Sequence, residues 1–176
     1  MSEKPSYLGL LNSVSVAETD AGRYLAAWAA VTPSTDVKAV INTIALRETE
    51  HGLAFAKRID ELGFTVIPKE DPKQAERMAI AASTALSDKE KFEALGLGRA
   101  PQNGSRDAFD SFFENKDLDP VTGGLLGRYV AEERDSGRKF AECYGLLCAE
   151  AEKVAAKANG GKGKSKDKGK SKAKKK

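Results

Sequence analysis

Apolar side chains return every three or four residues through Leu8, Leu11, Leu25 and Ala29, and Ser15, Glu18 and Gly22 fill the same stripe. That is the period of one helix face turned to a core. A first helix is predicted from about Tyr7 to Val31, ended by Thr32-Pro33-Ser34-Thr35-Asp36, which also supplies caps for the next. A second stripe, Val37, Ile41, Ile44, Glu48, His51, Phe55, Ile59 and Leu62, predicts a helix that Gly63 terminates. A third reads Leu126, Tyr129, Glu133, Ser136, Phe140, Cys143 and Leu147. Its helix should start after Asp119-Pro120, with proline in the first turn, and run to Ala158 before Asn159-Gly160.

Residues 64–118 are less regular. An alanine-rich helix is predicted from Asp71-Pro72 to about Leu86, then a short helix capped by Ser87-Asp88 and ending near Leu97. Gly98 to Ser105 reads as a loop, followed by a short aromatic helix around Phe109, Phe112 and Phe113. Phe64-Thr65-Val66-Ile67 is too short for a strand and leads into Pro68. The fold class expected is all-α.

With 176 residues, 40% of them hydrophobic, the chain suits one helical domain over residues 1–159 and a tail over 160–176. No apolar run approaches the roughly 20 residues of a membrane span. The start lacks the layout of a secretory signal, so a cytoplasmic location is expected. The net charge of +3 conceals a division: the tail carries nine Lys and one Asp, which leaves 20 basic and 25 acidic residues in the body. The tail has no apolar residue larger than alanine and should stay disordered. It has neither an aromatic residue for stacking nor an arginine for base reading, so it would contact nucleic acid or another polyanion without regard to sequence. Cys143 and Cys148 lie five residues apart and diverge by about 140° on a helix, which fits two reduced thiols better than a redox pair.

Three stripes carry a carboxylate near their middle: Glu18, Glu48 and Glu133. His51, the single histidine of the chain, lies one turn after Glu48 on the same face. Residues 47–56 recur in damaged form at 132–141, where Glu48 matches Glu133, Glu50 matches Asp135, Gly52 matches Gly137 and His51 matches Ser136. A buried carboxylate must be paired, protonated or coordinated to a metal. A metal ion held by Glu18, Glu48, His51 and Glu133 is one expectation. Pairing with Arg47, Arg128 and Arg134 is the other. Gly22, Gly52 and Gly137 suggest close helix crossing near this level, and Tyr24, Trp28 and Tyr129 suggest core or dimer packing.

On these residues the chain resembles the ferritin-like superfamily, and within it the rubrerythrin-type di-iron domain. A Glu in the first helix is followed some thirty residues on by Arg-Glu-x-Glu-His-x-x-x-Phe, and a weakened copy stands in the last helix. The resemblance implies an antiparallel four-helix bundle with an irregular third-helix region. It implies a metal centre of iron, or else manganese, between the helix pairs. Members oxidise ferrous iron, reduce peroxide or activate dioxygen, so a non-haem iron oxidoreductase is one outcome. Glu18 looks like the terminal ligand of the first helix, Glu48 and Glu133 like bridging carboxylates, and His51 like the nitrogen ligand. Ser136 stands in the second histidine's place and is a poor ligand. The third-helix carboxylate falls near Asn103, with Asp107, Asp110 and Glu114 as substitutes. A full dinuclear site takes four carboxylates and two histidines, so a mononuclear site or an empty, relict bundle serving assembly as a homodimer stays open beside it. So does nucleic-acid association through the tail.

Overall fold

Thr32 leaves the helical region at ψ 132°, and the Ser34 hydroxyl then accepts a hydrogen bond from Val37 N at 3.3 Å, so a turn of three residues separates two long helices. A computed structural model of the chain describes residues 4–98 and 109–160, and over these it is all-helical. The helices are α1 (Leu8–Val31), α2 (Thr35–Glu61), α3 (Gln74–Ala82), α4 (Asp88–Leu95) and α5 (Pro120–Gly160), with a 3-10 turn at Asp110–Phe113 before α5. None of them is long and apolar enough to cross a membrane. The expected disordered tail lies outside the described residues, apart from Gly160, which ends α5.

Local chemistry places the boundaries. Gly63 adopts φ 83° just past α2, a conformation that glycine takes at no steric cost. Asp119 caps α5, accepting from Val121 N and Thr122 N at 3.0 Å, with Pro120 as the first helical residue. Ser87 and Glu90 form a reciprocal capping box on α4. The alanine-rich helix stops earlier than its composition suggests. Ser83 turns extended (ψ 131°) and its hydroxyl accepts from Ala85 N and Leu86 N at 3.2 Å, a local bond that competes with helix continuation. The nearly fully buried Lys91 donates to the Ala81 carbonyl at 2.9 Å and so satisfies a group at the end of α3.

α1 and α2 run antiparallel at close range. A Cβ at Gly22 would collide with Thr49 Oγ1 and come within 3.1 Å of Thr49 N; one at Gly52 would collide with Thr19 Oγ1 and come within 3.0 Å of Thr19 N. The glycines therefore permit the helix crossing. Gly137 does not share that role: it is exposed, and a Cβ there would meet open space. Its place in the repeat suggested close approach, but α5 turns that face to solvent.

Every stripe residue of α1 and α2 is buried except Leu62, which is half-buried. The core falls into two blocks. One gathers Leu25, Trp28, Ile41, Ile44, Phe92, Phe140 and Cys143; the other gathers Leu11, Phe55, Ile59, Leu126 and Tyr129, with Phe109 and Phe112 packed against it. Trp28 thus serves packing, meeting Phe92 edge-on at 4.8 Å. Cys143 is buried, Cys148 half-buried, and both are free thiols. Between the blocks lies a polar layer.

Candidate metal centre

The polar layer is where the carboxylate-bearing levels of α1, α2 and α5 meet. Glu18, Glu48 and His51 are buried and Glu133 is partly so. Each offers one ligand atom, and these four atoms all lie within 4.8 Å of one another. Three helices thus bring the four residues singled out in the sequence to one point. A group so composed can hold a metal ion, because a cation bound by three carboxylate oxygens and an imidazole nitrogen offsets the cost of burying the charges.

The hydrogen bonds around the group sharpen this. His51 Nε2 lies 2.6 Å from Glu132 Oε2, to which the neutral ring donates when its proton is on Nε2, with Nδ1 facing inward. There Nδ1 stands 3.3 Å from Glu133 Oε1 and 3.9 Å from Glu18 Oε2. None of these three atoms has a hydrogen-bond partner, although all are buried. Buried polar atoms are rarely left so. The other Glu18 oxygen is satisfied, accepting from Tyr129 Oη at 2.8 Å.

The electrostatics agree with an accumulation of negative charge. Burial pushes the Glu48 carboxyl strongly upward, and the neighbouring Glu18 and Glu133 push it further. Burial works against the imidazolium form of His51, but Glu133 and Glu132, with Glu18 behind them, outweigh it and raise the ring above its usual value. Tyr129 is held well above the ordinary phenol range by burial and by Glu18, so it remains a neutral donor. Its ring packs edge-on against His51 at 5.0 Å.

Arg47 and Arg128 are not the partners of the three carboxylates. Arg128 reaches Glu132 at 3.0 Å and Glu50 at 2.6 Å. Arg47 pairs with Asp135 at 2.8 Å and donates to Ser136 Oγ at 3.1 Å. Arg134 is exposed. Of the four positions weighed for a third-helix carboxylate, Asn103, Asp107 and the Asp110 side chain lie outside the described residues, and Glu114 is exposed beyond the 3-10 turn. A cavity of about 600 Å3 opens onto Glu18, Glu48 and Glu133, walled by Tyr24, Leu25 and Phe140 and edged by Lys69 and Arg77.

Two features escaped the sequence reading. Glu132 points to the histidine although it neighbours Glu133 and looks like a surface residue by helical period. Burial opposes its charge, but His51 and Arg128 outweigh that and hold its carboxyl below the usual range. The second is a pairing within the first two helices: Glu18-Thr19-x-x-Gly22 recurs as Glu48-Thr49-x-x-Gly52. The contacts are reciprocal, Thr49 on Gly22 and Thr19 on Gly52. Glu18 and Glu48 are therefore equivalent positions across a local two-fold axis, and a search for a thirty-residue repeat would have found them.

Comparison of the chain with protein-family models, with curated proteins and with solved structures finds no match.

Proposed function

We propose that this chain is a ferritin-like bundle whose core site binds a divalent transition-metal ion, iron or manganese, through Glu18, Glu48, His51 and Glu133. In this reading α1, α2 and α5 are three members of the bundle, and the short α3 and α4 together take the place of the missing one. The observation that carries the proposal is the set of three unpartnered buried atoms, Glu18 Oε2, His51 Nδ1 and Glu133 Oε1, turned toward one another. Hard oxygen donors with one imidazole and no thiolate suit iron or manganese. The outer contacts fit the same purpose. A metal-bound histidine ordinarily donates its other N–H to a carboxylate, and Glu132 stands where that donation requires.

With iron bound, such a centre supplies one-electron chemistry toward dioxygen or peroxide. Glu18, Glu48, His51 and Glu133 would hold the ion, with Glu132 orienting the imidazole and Tyr129 steadying Glu18. The test is the metal content of full-length protein purified without chelator. Iron or manganese retained by wild type and reduced to background in His51→Ala and Glu133→Gln is the expected result. Wild type no richer in metal than these variants would sink the proposal.

A second reading is a metal-free bundle in which protons do the neutralising. The raised Glu48 carboxyl, hydrogen-bonded to Glu18, favours it. The same measurement separates the two.

A further inference from the structure

Resting on the metal reading above, we propose that the site takes a single ion and that the Arg47 guanidinium is a built-in cation standing in place of a second one. Ser136 lies one turn beyond Glu133 on α5, as His51 lies one turn beyond Glu48 on α2. The space beside Ser136 is filled from the opposite helix. Arg47 Nη1 donates to Ser136 Oγ at 3.1 Å and to the Glu132 carbonyl at 3.4 Å, and its charge is anchored by Asp135 at 2.8 Å. An imidazole at position 136 would have to displace that guanidinium before it could ligate anything.

Charge points the same way. Arg47 is fixed there by its ion pair with Asp135, on which Lys139 at 3.4 Å and Arg138 at 3.3 Å also converge. A second dication beside Ser136 would face a fixed positive group at short range. Arg47 is only partly exposed, with 24% of its side chain accessible, so it is held in place.

Manganese(II) titration of the full chain, stripped of metal by chelator, tests the assignment. Bound ions per chain are read by equilibrium dialysis with metal analysis, and their coupling by electron paramagnetic resonance. Wild type should take up one ion per chain and show the spectrum of an isolated manganese. The double variant Arg47→Ala/Ser136→His should take up a second and show a magnetically coupled pair. Two ions bound by wild type, or a double variant that stays at one, overturns the inference and leaves the metal site standing. No ion bound by wild type overturns both. Should the double variant fail to fold, Arg47→Gln removes the charge alone. A second ion bound at least tenfold more tightly than by wild type is then expected, and an unchanged affinity counts against the role given to Arg47.

Discussion

Asp88 and Glu48 are both buried carboxyls in one helical body, yet their surroundings are opposite. Asp88 accepts from Trp28 Nε1 at 2.7 Å and from Thr32 Oγ1 at 2.6 Å, and it faces the buried Lys91. Asp119, at the other end, accepts from Tyr7, Thr122, two backbone amides and Arg58. These two tie elements together, and the fold supplies every donor they need. Around Glu48 the fold supplies further carboxylates instead, Glu18 and Glu133. A buried acid that staples a structure is surrounded by donors. Glu48, which we propose as a metal ligand, is surrounded by its own kind.

Substitutions should respond with opposite signs. Asp88→Ala removes two buried hydrogen bonds and leaves Lys91 without its nearest counter-charge. It should cost about 3 kcal/mol and roughly 10 °C in melting temperature, read by thermal unfolding. Glu48→Gln in chelator-treated protein should do the reverse, gaining about 1–2 kcal/mol in urea unfolding by removing the cost of burying an acid among other acids while keeping the shape. A loss on Glu48→Gln would place Glu48 with the staples and break the comparison. Glu132→Gln should weaken metal affinity about tenfold, with little change in stability because the side chain is partly exposed; dialysis against a competing chelator measures this.

The smallest effect concerns acid. Burial opposes ionisation of Asp119, but Thr122, Tyr7, the Thr122 amide and Arg58 outweigh it and hold its carboxyl far below the usual range. A carboxyl depressed on folding contributes stability that is present above its unfolded value, about 3.9, and lost as the pH falls below that value. Asp119→Ala should therefore cost about 1 kcal/mol near neutrality and flatten the decline in urea midpoint below about pH 4. A decline as steep as in wild type would show that other groups govern it.

The long helices were readable because α1, α2 and α5 each bury one face along most of their length, so stripes such as Ile41, Ile44, Glu48, His51 and Phe55 carry the period cleanly. The four ligand candidates followed from the same stripes, since an acid interrupting an apolar row is conspicuous. Glu132 was not readable. Its helical position points about 100° away from Glu133, and only the crossing of α2 over α5 brings it to His51. Nor was the role of Arg47, which depends on what stands opposite rather than on its neighbours in sequence. The split between α3 and α4 turns on one hydroxyl, Ser83, within a run of good helix formers. Gly137 misled because a recurrence in sequence does not carry a neighbouring backbone with it.

The two reciprocal glycine–threonine contacts bear on which ion the proposed site would take. They fix how near the α1 and α2 backbones lie, and Glu18 and Glu48 stand one residue before those threonines. The aperture between the two carboxylates is therefore gauged by main-chain contact and not by the acids themselves. Calcium, with its oxygen ligands at about 2.3–2.6 Å, needs a wider cage than ions coordinated near 2.0–2.2 Å. Small residues that coordinate nothing themselves would thus act as the caliper of this protein.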